Sequence, residues 1–362
     1  MTTRVRYFWR AMPIIGLVAA FGLPLLGKAF PLLGYVVPLV GLAVLMSVVF
    51  AAVYHADVIA HRTGEPYGTL VLTVAVTVIE VALILSIMLG GEGRPGLARE
   101  TVFSVIMVVC NGVVGLCVVL GGLRYGEQGF RLPGASAYLV VLMPLATLTL
   151  ILPTYTTSAP GPYYSNTHLV FVSLVTLALY AVFLYVQTVR HRDYFLSDLG
   201  GSSDDHGGTP TPAQFWESVG LLVVGLTAVV LLAKGVSGSF EKVVAAIGAP
   251  ADAVGLLVAL LVLLPETVSA LRAAARNELQ KSLNLALGSS LATIGLTIPA
   301  VSLLAIVLQQ PLALGIEMRD TVILVLTFGV SLVTFGGGRT NILPGFVHLM
   351  LFAIFVFLIF VP

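Results

Sequence analysis

Eleven long apolar stretches, each of at least 16 residues, follow one another along almost the whole chain and limit what it can fold into. Because 58% of the 362 residues are hydrophobic and only 10% are charged, these stretches cannot all be buried in one soluble core. Each is therefore predicted to be a transmembrane helix. The predicted spans are residues 12–27, 30–54, 66–90, 99–122, 136–157, 167–189, 214–236, 250–271, 282–308, 321–336 and 343–361. The sequence thus predicts an all-α polytopic membrane protein with about 11 transmembrane helices.

The first span has a second interpretation. Arg4, Arg6 and Arg10 precede it, as basic residues precede the apolar core of a secretory signal peptide. However, no small-x-small cleavage site follows, and the next apolar stretch begins at residue 30. We therefore favour a transmembrane helix within residues 1–29 and keep the signal peptide as the alternative.

The distribution of Lys and Arg predicts how the chain is oriented in its membrane. If the N-terminus is cytoplasmic, the inside segments hold twelve of the 18 Lys and Arg residues and the outside segments hold the other six. Cytoplasmic loops of membrane proteins carry such an excess, which predicts a cytoplasmic N-terminus. The net charge of +1 provides no basic surface that would attract nucleic acid, so nucleic acid is not a predicted partner. The predicted partner is the lipid bilayer.

The longest hydrophilic segment divides the chain near its middle. Residues 190–213 are rich in Gly, Ser, Pro and Asp, which predicts a solvated cytoplasmic linker. Six spans precede it and five follow it. When the first span is set aside, two sets of five remain, and their odd number makes them enter the membrane from opposite sides, as inverted-topology repeats do. The predicted organisation is an extra N-terminal helix (1–29), a first five-helix repeat (30–189), the linker (190–213) and a second five-helix repeat (214–362).

Two acidic residues lie deep within predicted spans, where a carboxylate is costly and is a functional candidate by default. Glu80 lies in the third span and Glu266 in the eighth, so each belongs to the second span of its predicted repeat. Because inverted repeats are related by a pseudo-two-fold axis, both acids are expected near the middle of the membrane. The alternative for either acid alone is an interfacial position or a structural ion pair, such as Glu266 with Arg272.

Three threonines precede the first of these acids at helical spacing. Thr69, Thr73 and Thr77 are predicted to share one helix face with Glu80, so that oxygen atoms line a single stripe. The alternative is that each hydroxyl bonds only to a carbonyl of the preceding turn.

The neighbouring spans add further candidate ligands. Asn111 lies in the fourth span, and Ser289 and Ser290 lie in the ninth. Pro265, directly before Glu266, removes a backbone donor and predicts a broken helix with an available carbonyl. Carboxylate, hydroxyl, amide and carbonyl oxygens are the ligands that hard cations prefer. The chain contains no enzyme or cofactor motif, so we predict that it is not an enzyme and needs no cofactor.

Three segments carry a resemblance to a known family. They read GEPYGTLVLTVAVTVIEVALI, LLPETVSALRAAARNELQKSLNLALGSSLATIGLTIPAV and SxxTFGGGRTNILPGxxHL. The chain resembles the calcium/cation antiporter superfamily and, within it, the bacterial ChaA-type proton antiporters, over nearly its whole length from residue 64. The resemblance implies a bacterial inner membrane, one extra helix plus two inverted five-helix repeats, and a cation site with Glu80 and Glu266 as metal ligands. Ser289 and Ser290, and more loosely Asn111, match further polar positions of that site.

The chain departs from the classical calcium/proton exchangers at one position in each half. Their signature is Gly-Asn-Ala-x-Glu, whereas Thr77 and Leu263 occupy the places of the asparagines here. The predicted exchanged cation is Ca²⁺, and because the asparagines are absent, Na⁺ and K⁺ are kept as alternatives. We predict a secondary cation/proton antiporter that works by alternating access through a midplane site with Glu80 and Glu266. The alternatives are a cation channel that uses the same acids as a constriction, and a membrane scaffold without transport.

Overall fold

The computed structural model describes residues 3–29, 36–64, 67–90, 94–196, 210–246 and 248–361. Within these residues the elements are α1 (Thr3–Ala29), α2 (Val36–Thr63), α3 (Tyr67–Gly90), α4 (Leu97–Met107), α5 (Val114–Tyr125), β1 (Gln128–Gly129), α6 (Leu132–Ala146), α7 (Asn166–Tyr185), α8 (Pro212–Ala246), α9 (Ala253–Ala274), α10 (Leu279–Ala292), α11 (Ile298–Leu308), α12 (Met318–Phe335), β2 (Arg339–Thr340) and α13 (Ile342–Phe360). Four π-helical turns in this part of the chain interrupt or extend these helices. Val108–Val113 joins α4 to α5, Thr293–Thr297 joins α10 to α11, and Thr147–Ile151 and Val186–Arg190 follow α6 and α7. The described residues thus contain 11 helices long and apolar enough to cross a membrane, which confirms the predicted all-α polytopic fold.

The second helix shows why a polar residue need not end a membrane span. The sequence places the end of this span at residue 54, whereas α2 continues to Thr63. His55 is buried, and its ring nitrogens lie 3.2 Å from Ser218 Oγ and 3.2 Å from the carbonyl oxygen of Trp9. Ala56 and Ile59 remain buried beyond it, so helix packing continues for one further turn.

The helices form two compact units, each built from both halves of the chain. Unit 1 consists of Met1–Arg94 and Ser202–Ala251 and contains α1, α2, α3 and α8. Unit 2 consists of Pro95–Gly201 and Asp252–Pro362 and contains the remaining helices. These units are defined by contacts between helices, and they do not coincide with the two predicted repeats. The division into repeats stays a prediction.

Small residues bring the helices of unit 1 close together. A Cβ added to Gly16 of α1 would lie 2.3 Å from Val48 of α2, and one added to Gly225 of α8 would lie 3.5 Å from Ala52 of α2. Such close approach is typical of membrane helices, which associate by van der Waals packing because lipid provides no hydrophobic drive. α3, which carries Glu80, packs against α2 and α8 in this unit.

Glycines have the same role in unit 2. A Cβ added to Gly255 of α9 would lie 2.6 Å from Cβ of Glu100 on α4, so these two backbones are in contact. A Cβ added to Gly345 of α13 would lie 2.9 Å from the backbone nitrogen of Val119 on α5. These contacts hold α9 against α4 and α13 against α5, and they also bring α13 beside the π turn that contains Asn111.

Two pairings between loops of unit 2 are related by an exchange of the predicted repeats. β1 pairs antiparallel with β2, which joins the loop after the fourth span to the loop after the tenth. Tyr163 pairs antiparallel with Ala313, which joins the loop after the fifth span to the loop after the ninth. In both pairings, the loop after the third span of one predicted set of five contacts the loop after the fourth span of the other set. Exchanging the two sets therefore converts one pairing into the other. Inverted repeats would produce this relation.

The predicted linker begins with an ordered turn. Residues Arg192–Phe195 form a 3₁₀ turn in which the Phe195 ring is buried, with its centroid 5.5 Å from that of Tyr138 and 6.0 Å from that of Phe183. Burial of Phe195 among aromatic rings of unit 2 is an exception to the solvated character expected of the segment. Residues 197–209 of the linker lie outside the described residues.

Candidate cation-binding site

Glu80 lies near the middle of α3 and has only 1% of its surface exposed. The helix runs without interruption from Tyr67 to Gly90, and the neighbouring Ile79 and Leu83 are also buried. An ionised carboxylate that is withdrawn from water must be compensated by a proton, a cation or polar partners. The position of Glu80 is therefore suited to binding a proton or a cation.

Thr73 and Thr77 are half-buried on the same helix as Glu80. The Thr77 hydroxyl donates a hydrogen bond to the carbonyl oxygen of Thr73 at 2.9 Å, as the alternative interpretation expects. Its oxygen retains lone pairs, so this bond leaves it able to accept a further bond or to bind a cation. The side chain of Thr69 lies outside the described residues.

Glu266 lies on α9 and is half-buried. The predicted break at Pro265 is wrong, because α9 continues through this residue from Ala253 to Ala274. Pro265 has no N–H, so it donates no bond to the Leu261 carbonyl one turn earlier. A membrane helix tolerates this loss when its neighbours hold it in place. Here α9 is held by α4 near its start and by α10.

Ser289 and Ser290 lie on α10, which packs against α9. Ser289 is half-buried, whereas Ser290 has no exposed surface. Among the described residues, the Ser290 hydroxyl has no hydrogen-bond partner. Buried hydroxyl groups nearly always have one, so the oxygen of Ser290 fits a role as a cation ligand.

Asn111 lies in the π turn between α4 and α5 and is completely buried. Its Nδ2 donates to Thr327 Oγ1 at 2.8 Å, and its Oδ1 lies 3.1 Å from His348 Nδ1. His348 Nε2 lies 3.1 Å from Thr334 Oγ1. The sequence-based candidates did not include these three partners. Two sequence signals point to them: His348 is a polar residue inside the last predicted span, and the spacing of Thr327, Ser331 and Thr334 places these three along one side of α12.

The candidate residues of unit 2 lie on elements that pack together. α9 carries Glu266, α10 carries Ser289 and Ser290, and the π turn with Asn111 contacts both helices. Glu80, Thr73 and Thr77 share α3 in unit 1. In the part of the chain that the structure describes, no three His, Cys, Asp or Glu residues gather into a metal-binding group.

Comparison with known proteins identifies the family. The family model described as sodium/calcium exchanger protein matches residues 33–189 and 217–361. The chain belongs to the sodium/calcium exchanger family. One relative is the putative ionic transporter y4hA of Sinorhizobium fredii, which is 47% identical over 320 residues, 88% of this chain and 87% of that protein. The sodium-potassium/proton antiporter ChaA of Escherichia coli is 38% identical over 320 residues, 87% of this chain and 86% of that protein.

Solved structures share the fold of this exchanger-family chain. Native YfkE has a TM-score of 0.74 at 18% identity and covers 97% of this chain and 100% of its own. The H⁺/Ca²⁺ exchanger CAX has a TM-score of 0.68 at 15% identity and covers 96% of this chain and 89% of its own. The family model and the two relatives confirm the predicted membership of the calcium/cation antiporter superfamily and its ChaA-type members, and the solved structures share its fold. The chain is a multi-pass membrane protein with bacterial relatives, and its general activity is cation exchange.

Proposed function

We propose that the protein is a secondary antiporter that exchanges a metal cation for protons across a bacterial inner membrane. The observation that carries this proposal is the burial of Glu80 in the middle of a membrane-spanning helix. Na⁺ and K⁺ are proposed before Ca²⁺, because the relative at 38% identity is named a sodium-potassium/proton antiporter, whereas the relatives named Ca²⁺/H⁺ antiporters are 25% and 26% identical. Thr77 and Leu263, which replace the asparagines of the calcium/proton signature, also support this order.

Competition between protons and the cation for carboxylates would couple the two fluxes. A proton or a cation neutralises an ionised Glu80 or Glu266, whereas the empty ionised form is costly in hydrocarbon. Only the neutralised forms would then change conformation at a useful rate, so neither ion crosses without the other. The oxygens that complete cation coordination are proposed to come from Thr73, Thr77, Asn111, Ser289 and Ser290.

Alternating access is proposed to arise from movement within a pair of inverted repeats. Three features support the repeats. The family model matches twice, over residues 33–189 and 217–361. The two loop pairings of unit 2 exchange when the halves are exchanged. The fourth and ninth spans, each third in its predicted repeat, both contain a π-helical turn near the middle, whereas the π turns of the fifth and sixth spans, Thr147–Ile151 and Val186–Arg190, lie near the ends of those spans.

Transport by purified protein in liposomes tests the proposed activity. With an imposed proton gradient, Na⁺ or K⁺ added separately should collapse the gradient in a saturable manner, and Ca²⁺ should do so less effectively. Protein-free liposomes prepared identically are the control. Unitary current steps, or cation flux that continues at full rate without counter-movement of protons, would instead support the channel alternative.

Because the described residues contain an odd number of spans, eleven, the proposed orientation places the N-terminus in the cytoplasm and the C-terminus on the opposite side of the membrane. A fluorescent protein that folds only in the cytoplasm should fluoresce when fused before residue 1. Alkaline phosphatase, which is active only outside the cytoplasm, should be active when fused after residue 361. The reverse pattern of the two reporters would show that the orientation is inverted.

A further inference from the structure

A buried chain of hydrogen bonds joins α12, α13 and the π turn in unit 2. It runs from Thr334 through His348 and Asn111 to Thr327, with distances of 3.1, 3.1 and 2.8 Å. His348, Asn111 and Thr327 have no exposed surface, and Thr334 is 5% exposed. Because all four groups are withdrawn from water, each must obtain its hydrogen bonds within this chain.

The sulfur of Met107 determines the direction of these bonds. Met107 Sδ, which only accepts, lies 3.9 Å from Asn111 Nδ2 and 3.7 Å from Thr327 Oγ1. With Nδ2 on this side, the amide and the Thr327 hydroxyl can both donate to the sulfur. The reverse orientation of the amide would place an oxygen against the sulfur and turn the Thr327 hydroxyl away from it. The Asn111 oxygen therefore faces His348.

This orientation assigns the tautomer of His348. Asn111 Oδ1 can only accept, so His348 must carry a hydrogen on Nδ1 and donate it. In the neutral ring Nε2 is then an acceptor, and the Thr334 hydroxyl donates to it. The hydrogen bonds thus point in one direction from Thr334 to Thr327, and the bond from His348 fixes the plane of the Asn111 amide.

We infer that His348 is a positioning residue for cation binding, which acts by holding the Asn111 amide through an Nδ1–H bond. This inference rests on the proposed function, in which Asn111 contributes an oxygen to the cation. The amide oxygen uses one lone pair for His348 and keeps the second for a cation. Groups that orient a ligand in this way affect metal affinity strongly even though they do not touch the metal.

Two substitutions of the same residue separate positioning from packing. In His348→Asn the amide nitrogen takes the place of Nδ1 and can still donate to Asn111, whereas in His348→Gln the longer amide reaches toward Thr334 instead. Each variant keeps one of the two hydrogen bonds, so both should lose similar thermal stability. The half-saturating cation concentration should rise about tenfold in His348→Gln and stay within about threefold in His348→Asn.

The same transport assay distinguishes failure of the inference from failure of the proposed function. Equal half-saturating concentrations in the two His348 variants, whether unchanged or raised, would overturn the positioning role. If Glu80→Gln and Glu266→Gln lose exchange in that case, the proposed function stands without it. Retained exchange by both glutamate variants would instead remove the proposed function.

A measurement on the unsubstituted protein tests the tautomer even if a variant fails to fold. ¹⁵N NMR of histidine-labelled protein, with His348 assigned by the signal missing from His348→Asn or His348→Gln, reports which ring nitrogen carries hydrogen. A neutral ring with hydrogen on Nδ1 is the expected result. Hydrogen on Nε2 with a bare Nδ1 would overturn the inference.

Discussion

Glu80→Gln and Glu266→Gln should each abolish proton-coupled cation exchange in proteoliposomes. Glutamine preserves the size of the side chain and its ability to form hydrogen bonds, but it neither takes up a proton nor provides a negative charge for a cation. Loss of a desolvated charge partner typically costs about 3 kcal/mol, which corresponds to about a hundredfold loss of cation affinity. Because proton binding is lost as well, raising the cation concentration should not restore coupled exchange.

Glu217→Gln in unit 1 is a matched control for this experiment. Glu217 pairs with Arg10 at 2.6 Å, and its side chain is 38% exposed, so this substitution removes a carboxylate that is accessible to solvent. Exposed ion pairs contribute little, and the variant should transport at close to the unsubstituted rate. Proton-coupled exchange in both glutamate variants would contradict the proposed role of the two acids.

Thr77→Val should have a smaller effect than either acid substitution, since the Thr77 hydroxyl already bonds within its helix.

Gly255→Val should greatly reduce the amount of folded protein. A Cβ at this position would lie 2.6 Å from Glu100 Cβ, 2.7 Å from the Glu100 carbonyl carbon and 2.9 Å from the Thr101 backbone nitrogen. No side-chain rotation relieves contact with backbone atoms, so α4 and α9 must separate. Overpacking of this kind costs about 1–3 kcal/mol and more when backbone must shift, and valine adds two further methyl groups. Thermal stability of the detergent-purified protein, measured by fluorescence-detected size-exclusion chromatography, should fall accordingly.

Gly329→Ala provides the comparison for this substitution. Gly329 lies on α12, also in unit 2, and a Cβ added there would have no heavy atom within 4 Å. Alanine favours the helix more than glycine does, so thermal stability should be unchanged or slightly higher. Equal stability of the Gly255→Val and Gly329→Ala proteins would show that α4 and α9 are not in backbone contact.

The number and type of the helices could be predicted from the sequence because a bilayer requires about 20 apolar residues for each span. Their ends were harder to predict, since a polar residue is tolerated within a span when other helices satisfy it. His55 illustrates this, because its partners Trp9 and Ser218 belong to helices distant along the chain. The predicted break at Pro265 was wrong for a related reason: Pro265 is buried, and α4 and α10 pack against α9, so neighbouring helices compensate for the missing backbone hydrogen bond.

Glu80 and Glu266 could be selected as candidates from the sequence because any charge within hydrocarbon is costly, so an acidic residue inside a span is a candidate functional residue. The partners of Asn111 could not be predicted in the same way. His348 lies 237 positions away in sequence and reaches Asn111 only because α13 packs beside the π turn. An extra residue in a helical turn also leaves no clear trace in hydrophobic periodicity, so the π turn itself was not predicted.

Proton release on cation binding tests most directly whether the two ions compete for Glu80 and Glu266. When Na⁺ or K⁺ is added to purified protein in weakly buffered detergent solution, the pH should fall, and the release should diminish when the starting pH is already high enough to ionise the carboxylates. The double variant Glu80→Gln, Glu266→Gln should release no protons. Cation binding by the unsubstituted protein without proton release at any pH, or equal release by the double variant, would contradict competition at these two residues.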